Sequence, residues 1–368
     1  MSGYGSRMRT ELLIGGTWRQ GAEDGRIGVL DPATGEQIAE VADGTPADAV
    51  AACDAAEAAQ AGWAATPPRE RSEILRRCWE ILVDHTDELA ALIVREHGKP
   101  MADAKGEITY SAEFFRWNAE ETVRIRGDLG VAPSGANRII VHHPPVGVVL
   151  MVTPWNFPAA MITRKLAPAL GAGNGVVIKP PKETPLTALR VAELLEEAGV
   201  PAGLVNVVPT STSGDWFEAA VDHRAVRMLS FTGSTEVGRV LLRRAAERVL
   251  KTVMELGGNA PFVVFDDADI DAAVAGAMVA KMRHSAETCT AANRFYVEAG
   301  AVDEFSEKLT EAMRQVKVGS GFDADVTCGP MINPRAVDDI DGLVRSAVGA
   351  GASVLLGGEP LPGAGCFY

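Results

Sequence analysis

The segment VGVVLMVTPWNFP (residues 146–158) begins as a short apolar run and ends in a turn that contains two prolines. Helical patterns follow, among them residues 185–198 and 235–249, and they alternate with further apolar runs. Short apolar strands that alternate with helices are typical of a parallel sheet covered on both faces. This part of the chain is therefore predicted to form a doubly wound α/β sheet. The further runs are GVVIK (175–179), LVNVV (204–208) and VRMLSF (226–231).

The same alternation starts again after Gly258, which predicts a second α/β unit. Upstream, residues 35–67 and 68–96 carry Ala, Val and Leu at helical spacing, so we expect two packed helices. Residues 127–143 alternate apolar and polar side chains between turn signals, which favours an exposed hairpin or arm of the kind that joins subunits. In the second unit, strands are expected at 261–265 and 295–298 and helices at 270–283 and 302–316.

Composition excludes several classes of function. The 368 residues are 47% hydrophobic, and 35 Lys and Arg against 49 Asp and Glu give a net charge of −14. Such a charge argues against binding to nucleic acid or to an acidic membrane. The apolar run 146–152 is too short to cross a bilayer, and the polar start MSGYGSRMRTE has no apolar signal core. Five scattered cysteines without metal-ligand spacing predict reduced thiols, no bound metal and a cytoplasmic location.

Two residues indicate covalent chemistry on a carbonyl carbon. Cys289 lies in the run KMRHSAETCTAANR (281–294), and Glu255 lies upstream in the segment MELGGN. A thiolate attacks well, and an intermediate held on sulfur needs an activated water to release it. Cys289 is therefore the candidate nucleophile and Glu255 the candidate base. The alternatives are a buried, inert cysteine and an ordinary surface carboxylate.

Two features indicate a phosphate site at the carboxyl edge of the predicted sheet. The loop TGSTEVG (232–238) follows a strand and opens a helix, so its backbone N–H groups and the helix dipole suit a pyrophosphate. Lys179 ends an apolar strand at the edge where open α/β sheets bind ligands. The loop lacks GxGxxG spacing, and the alternatives are a tight strand-to-helix connection and a solvated lysine.

The turn TPWNFP (153–158) ends the strand before it and is stiffened by its two prolines. Asn156 in this turn is a candidate donor to an oxyanion, through its side-chain amide, as charge develops on a carbonyl oxygen. The alternative is a rigid turn filled by Trp155.

Five motifs stand in a characteristic order: TPWNFP, KPPKETP from Lys179, FTGSTEVG, MELGGNAP and the cysteine of ETCTAANR. Together they resemble the aldehyde dehydrogenase superfamily from about Leu12 to Tyr368, far more specifically than any one motif alone. The resemblance implies an α/β fold with a doubly wound, parallel-sheet nucleotide-binding domain and a second α/β catalytic domain. It implies a nucleotide-binding domain at 1–126 and 144–256, an oligomerisation arm at 127–143 and an incomplete catalytic domain at 257–368.

The resemblance also implies a mechanism. Cys289 would attack an aldehyde, Asn156 would stabilise the oxyanion, and Glu255 would activate the water that hydrolyses the thioester left on Cys289 after hydride transfer to a nicotinamide cofactor. The product would be a carboxylic acid. The residues implied in cofactor binding are Thr153, Pro154, Trp155, Lys179, Lys182, Gly233, Ser234, Gly238 and Leu256.

Within the superfamily, MITRK (161–165) and KMR (281–283) look like the succinate-semialdehyde dehydrogenase branch. There, Arg164 and Arg283 would bind the far carboxylate of the substrate, because a guanidinium grips a carboxylate with two hydrogen bonds and keeps its charge. The alternative is that both arginines are structural and that the protein is a broad-specificity aldehyde dehydrogenase.

Lys182 bears on the choice of cofactor. The resemblance leads us to expect a glutamate there in NAD-preferring members, where it accepts hydrogen bonds from the adenosine ribose. A lysine attracts the 2′-phosphate of NADP, which a carboxylate would repel, so NADP is the predicted cofactor. NAD remains an alternative because Glu183 is adjacent.

The segment before Cys289 departs from the family pattern at three positions. His284 replaces the usual asparagine, Ala286 the usual glycine and Glu287 the usual glutamine. A nearby Glu287 carboxylate would disfavour the thiolate, and a protonated His284 would offset that effect.

The chain ends at Gly365-Cys366-Phe367-Tyr368, where the family usually continues through a Glu-x-Phe-Gly-Pro motif. The sequence thus resembles a C-terminally truncated member, with the homo-oligomer, a dimer or tetramer, expected of the longer protein. The hypothesis from another class is a truncated nucleotide-binding remnant without activity.

Overall fold

The computed structural model describes residues 8–368, which form two compact units. The first unit contains the described residues up to Ile27, together with Glu40–Thr86 and Glu107–Glu255. The second unit contains Gly28–Ala39, Asp87–Gly106 and Leu256–Tyr368. Residues 28–39 and 87–106, which the sequence assigned to the nucleotide-binding domain, thus lie in the second unit. The functional assignment of the domains stays a prediction.

Thirteen strands occur within residues 8–368. In chain order they are β1 (Leu12–Ile14), β2 (Thr17–Arg19), β3 (Arg26–Leu30), β4 (Gln37–Ala42), β5 (Leu129–Val131), β6 (Arg138–Ile140), β7 (Val148–Val152), β8 (Gly175–Lys179), β9 (Val205–Val207), β10 (Val226–Gly233), β11 (Lys251–Leu256), β12 (Pro261–Val264) and β13 (Arg294–Val297).

Eleven helices accompany these strands in the same part of the chain. They are α1 (Pro46–Ala65), α2 (Pro68–Asp84), α3 (Thr86–His97), α4 (Met101–Thr122), α5 (Ala160–Gly171), α6 (Pro185–Glu197), α7 (Ser213–Asp222), α8 (Thr235–Glu247), α9 (Ile270–Met282), α10 (Val302–Arg314) and α11 (Pro334–Gly349).

The first unit is built on a seven-stranded sheet in the order β11-β10-β7-β8-β9-β1-β2. Strands β10, β7, β8 and β9 are parallel, as the apolar runs predict. Strand β7 is almost wholly buried and β8 is wholly buried, which explains why their sequences are continuously apolar rather than alternating. The prediction of a parallel sheet is incomplete, because β1 pairs antiparallel with both β9 and β2. These two short strands carry too few residues for a clear pattern.

The strand order reverses at β7, and this reversal determines where a ligand site can form at the edge of the sheet. The chain passes from β7 to β8 on one side, and β10 pairs with the other side of β7. The register places Val152 of β7 opposite Lys179 and opposite Phe231, so three strands end at about the same level. Open α/β sheets bind ligands beside the carboxyl ends of their strands at such a reversal.

The predicted helix at residues 35–67 is wrong in its first part. Residues Gln37–Ala42 form β4, and helix α1 begins only at Pro46. Thr45 caps this helix and exchanges hydrogen bonds with Asp48 in a capping box, so the chain cannot enter the helix earlier. The predicted helix at 68–96 is also divided, because α2 ends at Asp84 and α3 begins at Thr86. Helix α1 packs against α7 and β8, whereas α2 packs against α5 and α6.

The second unit contains a small core between a two-stranded parallel sheet and two helices. Strand β12 pairs with β13 from Pro261 to Val264, and α9 and α10 pack together. The predicted strands and helices of this unit are confirmed to within a few residues. Its core contains Val264, Ile270, Val274, Ala277, Ala301 and Phe305.

The predicted arm is an antiparallel hairpin of β5 and β6 in the first unit. It is exposed on both strands, with Leu129, Val131 and Ile140 among its accessible apolar residues. Within residues 8–368, every helix is too short or too polar to cross a membrane.

Candidate active site

Lys179 and Thr153 lie side by side at the carboxyl edge of the sheet. The Thr153 amide donates to the Lys179 carbonyl oxygen at 3.2 Å, and the Lys179 Nζ donates to the Pro180 carbonyl at 3.2 Å. Lys179 is only 7% exposed, and this burial lowers its pKa to about 8, opposed by the nearby Glu183. The alternative of a freely solvated lysine is therefore wrong. A buried ammonium group at this edge suits a bound hydroxyl or phosphate oxygen.

Helix α8 begins at the same edge, directly after β10. Ser234 caps it and accepts a hydrogen bond from the Val237 amide at 3.3 Å. Ser234 is exposed, so the positive end of this helix faces solvent. Gly233 packs against the Phe231 ring, since a Cβ on Gly233 would lie 2.5 Å from that ring's Cζ. The site therefore fits the phosphates of a dinucleotide, with Lys179 and the α8 N-terminus as the groups that would hold them.

Three of the predicted residues lie in the turn after β7. Pro154, Trp155 and Asn156 are partly exposed, whereas the following Phe157 is buried. The Thr184 hydroxyl donates to the Trp155 carbonyl at 3.5 Å, which ties this turn to the segment after β8. Lys182 in that segment is exposed, and Glu183 beside it is half-buried. Lys182 is therefore accessible to a ligand at this edge.

Glu107 of α4 anchors the helix that follows the Asn156 turn. Its Oε1 accepts hydrogen bonds from the Ala159 and Ala160 amides at 2.9 and 3.2 Å. Glu107 is 1% exposed, and a carboxylate at the first turn of α5 satisfies free amides and complements the helix dipole. No local side chain caps this helix, so the distant glutamate takes that role.

Glu255 is exposed on β11, which neighbours β10 in the sheet. Lys165 of α5 is coupled to it: burial lowers the pKa of Lys165 to about 8, while the Glu255 carboxylate acts in the opposite direction. The Lys165 Nζ donates to the Ser230 hydroxyl of β10 at 3.0 Å. Sequence reasoning missed Lys165, although the signal was present as one lysine on the apolar face of MITRKLAPAL.

Arg164 is partly exposed beside Lys165. Its guanidinium lies 5.6 Å from the centre of the Phe114 ring, and its Nη1 lies 3.9 Å from the Met161 sulfur. Stacking on an aromatic ring leaves the edge of a guanidinium open to a further partner. The arginine can thus be both held in place and available.

The second unit carries Cys289, Arg283 and Leu256. Cys289 is exposed, whereas the other four cysteines are buried or partly buried. Arg283 is exposed at the C-terminal end of α9, and Leu256 is partly exposed at the end of β11. The alternative of a buried thiol at position 289 is therefore wrong, whereas its role as nucleophile stays a prediction. Within the first unit, the structure brings Thr153, Lys179, Gly233 and Ser234 to one sheet edge.

Burial gives the segment before Cys289 a different character from the one expected. It lowers the pKa of His284 to about 3, so this histidine is neutral at neutral pH and supplies no positive charge. The condition under which His284 would offset Glu287, a protonated ring, is therefore not met. The Glu287 side chain is 4% exposed, in contrast to the exposed Cys289 two residues later.

Comparison with known proteins gives a consistent result. The family model described as "Aldehyde dehydrogenase family" matches residues 18–368. A succinate-semialdehyde dehydrogenase of Paenarthrobacter nicotinovorans is 51% identical over 331 residues, which cover 90% of this chain and 74% of the relative. A glutarate-semialdehyde dehydrogenase of Pseudomonas putida is 46% identical, and the match covers 96% of this chain and 74% of the relative.

A crystal structure described as an Escherichia coli NADP-dependent enzyme superposes with a TM-score of 0.96 at 45% identity. The match covers 98% of this chain and 75% of the other. The chain thus spans about three quarters of the length of these relatives, and the fold is theirs over that span.

Replacing Glu107 with alanine is expected to lower the free energy of unfolding by about 2 kcal/mol, because two buried amides lose a charged acceptor. Glu107→Gln should cost less, since an amide oxygen can still accept both bonds. Denaturant unfolding measures the cost, and hydrogen exchange at Ala159 and Ala160 locates it. The same substitutions at Glu120, exposed on the same helix, are the control. Equal effects at the two positions would show that Glu107 is not an anchor.

Proposed function

Because the chain belongs to the aldehyde dehydrogenase family, we propose that it oxidises succinate semialdehyde to succinate with NADP. The observation that carries this proposal is the exposure of Cys289, since a nucleophilic thiol must be reached by its substrate. The buried Lys179 and the exposed start of α8 support a dinucleotide as the second substrate.

The first chemical step is the addition of the Cys289 thiolate to the aldehyde carbon. The C–S bond forms as the carbonyl π electrons move to oxygen, which gives a tetrahedral alkoxide. Asn156 is proposed to donate its side-chain amide N–H to that oxygen. Its turn is suited to this role because prolines flank it and Glu107 anchors the helix that follows.

The second half of the reaction releases the acid. A bound nicotinamide would supply the acceptor for the hydride of the tetrahedral carbon, and Cys289 would keep the acyl group as a thioester. Glu255 is proposed to take a proton from water, whose oxygen adds to the thioester carbon and expels the thiolate. The exposure of Glu255 is compatible with contact to water, and Lys165 lies within its electrostatic reach.

Lys182 supports NADP over NAD. It is exposed near the carboxyl edge of the sheet, so its ammonium group can approach a 2′-phosphate without prior loss of a buried contact. Thr153, Pro154, Trp155, Gly233, Ser234, Gly238 and Leu256 are proposed to complete the cofactor site.

Arg164 and Arg283 are proposed to bind the second carboxylate of the substrate. The names of the two relatives support a semialdehyde that carries such a carboxylate, with either four or five carbons. One observation favours a broad-specificity enzyme instead: Arg164 already packs on Phe114, as a structural arginine would. Kinetics on charged and uncharged aldehydes separate the two.

The β5–β6 hairpin is proposed to join subunits in a homo-oligomer, since Leu129 is 72% and Val131 65% exposed. A cytoplasmic location stays the prediction from composition.

The proposed reaction predicts a rise in the near-ultraviolet absorbance of reduced nicotinamide when the protein is mixed with succinate semialdehyde and NADP. Cys289→Ser should abolish the rise, because the hydroxyl is not ionised at neutral pH. Cys78→Ser, at a buried cysteine, is the control. A folded sample that gives no rise with either cofactor would contradict the proposal and favour an inactive nucleotide-binding remnant.

Lys182→Glu is expected to lower the NADP-to-NAD ratio of kcat/KM by about 10- to 100-fold, because a phosphate then meets a carboxylate instead of an ammonium group. The ratio is measured with one aldehyde at fixed ionic strength. Lys251→Glu, at an exposed lysine at the start of β11, is the matched control. An unchanged ratio in Lys182→Glu would remove this residue from cofactor selection.

Arg164→Met and Arg283→Met are each expected to raise the KM for succinate semialdehyde about tenfold or more, because a charge-assisted contact to its carboxylate is lost. The KM for butyraldehyde, which lacks that group, should stay unchanged. Arg69→Met on α2 is the control, since Arg69 is exposed and pairs with Glu73 one turn away. A similar rise for both aldehydes would support the broad-specificity alternative.

A further inference from the structure

Three consecutive residues before Cys289 have a left-handed backbone. The φ angles are 52° at His284, 54° at Ser285 and 63° at Ala286, and none of them is a glycine. A residue other than glycine is strained in this region, because its Cβ crowds the backbone, and it stays there only when the surroundings hold it. A strained run of this length persists only where several contacts fix it, so the segment 284–289 needs anchors.

Two anchors hold the start of this segment within the second unit. The His284 amide donates to the Asp103 carboxylate of α4 at 3.1 Å. The Ser285 hydroxyl accepts a hydrogen bond from the Gly329 amide at 2.8 Å. Both His284 and Ser285 are buried, so these bonds are shielded from water.

The third anchor is Glu287, whose side chain faces His97. His97 Nε2 lies 3.2 Å from Glu287 Oε2, and the two side chains are 0% and 4% exposed. The Lys99 amide donates to His97 Nδ1 at 3.3 Å, so Nδ1 carries no proton. The neutral ring then has its proton on Nε2, the nitrogen that faces the Glu287 oxygen.

The turn that follows His97 packs closely against another segment of the same unit. Gly98 has φ +93°, and a Cβ there would lie 2.5 Å from Pro330 Cγ, so the two segments touch closely. The His97 side chain is 0% exposed, so close packing restricts its movement if Glu287 and its segment move.

We propose that Glu287 and His97 are positioning residues that hold the strained segment 284–289 and so present Cys289 outward. This inference rests on the proposed function, in which Cys289 is the nucleophile. Glu287 and Cys289 are two residues apart, so fixing the Glu287 side chain inside the unit limits where the thiol can lie. The glutamate that departs from the family pattern thus directs its carboxyl group inward, to a histidine of the same chain.

The charge state of this cluster gives the proposal a measurable signature. Burial raises the pKa of Glu287 to about 8, opposed by the Lys99 ammonium and the Ile332 amide. Burial lowers the pKa of His97 well below its usual value. Lys99 of the following loop acts on both members of the pair, and His284 acts on His97. Arg283 acts on His284, and Glu287 and Asp103 of α4 act on the thiol of Cys328.

The sign of the pH dependence follows from linkage. A carboxyl group whose pKa is raised in the folded state binds more protons folded than unfolded, so stability falls as the pH rises from 4.5 to about 8. The lowered pKa of His97 and that of His284 act with the opposite sign below pH 6.5. Lys165 and Lys179, whose pKa values are about 8, act above that pH. The interval between pH 6.5 and 8 therefore isolates Glu287.

The experiment compares wild type, Glu287→Gln, Glu287→Ala and His97→Ala. Their readouts are hydrogen exchange of segment 284–289, the iodoacetamide reaction of Cys289 and thermal unfolding across the pH interval. Glu287→Gln keeps the size of the side chain and an oxygen that faces His97 but removes the titratable group, so its exchange should match wild type at pH 6.5, where Glu287 is protonated. Its unfolding temperature should lose the decline that wild type shows towards pH 8.

Glu287→Ala and His97→Ala should each raise the rate of hydrogen exchange in segment 284–289 about tenfold or more. Local opening of this segment then no longer has to break the contact between Glu287 and His97. The Cys289 alkylation rate should change in both variants, and the double variant should exceed neither single one, as expected for two members of one contact. Glu307→Gln, on the exposed face of α10, is the control and should leave every readout unchanged.

Wild-type exchange and alkylation in both alanine variants, or a decline towards pH 8 that survives in Glu287→Gln, would overturn the proposal. If an alanine variant does not fold, the pH dependence of unfolding in Glu287→Gln still tests the proposal, because this variant keeps the size of the side chain. None of these readouts needs substrate or cofactor, so they separate the two ideas. If the variants change exchange, alkylation and unfolding but the wild type has no dehydrogenase activity, only the proposed function is contradicted. If the wild type is active but the variants change none of these readouts, only the positioning role of Glu287 and His97 is contradicted.

Discussion

The parallel pairing of β7 with β8 on one side and β10 on the other is the constraint on which the first unit depends. Parallel strands that are neighbours in the sheet have their carboxyl ends at the same edge. Residues that follow these strands therefore lie near one another, although they are far apart in sequence. Thr153, Lys179 and Ser234 share this edge because each follows or ends one of these strands. The same pairing buries β7 and β8, which is why their sequences are continuously apolar.

That edge is stabilised by buried charges that have partners. Glu107 binds two amides at the start of α5, and Lys165 on the same helix binds Ser230 of β10. A buried charge without hydrogen-bond partners would cost several kcal/mol. Each of these side chains therefore keeps its hydrogen bonds, and these bonds hold the neighbouring elements in place. Helix α5 is thereby tied at its first turn to α4 and along its length to β10. The turn that carries Asn156 lies between these ties and β7.

The sequence predicted those parts of the fold whose pattern is set by burial alone. The apolar runs located β7 to β10, whereas the roles of Cys289 and Glu255, inferred from residue type and motif, stay predictions. It did not predict β4, because six residues of mixed burial resemble the start of the Ala-rich helix that follows them. It missed Glu107 and Lys165 because their roles arise from partners 52 and 65 residues away. The charge state of His284 could not be predicted, since its burial depends on segments distant in sequence.

In the second unit, contacts between distant segments, rather than strand pairing, fix the residues before Cys289. Its candidate nucleophile follows three left-handed residues that no glycine relieves, so backbone strain there must be balanced by contacts from elsewhere. Asp103, Gly329 and His97 supply them from three separate segments, each 40 or more residues from Cys289 in sequence. A glycine at position 286 would relieve part of the strain and free the backbone at the same time. Alanine at position 286 makes the left-handed conformation less favourable, but it also leaves the backbone fewer conformations than glycine would. The buried Glu287 next to it makes the conformation of the segment depend on the partner His97.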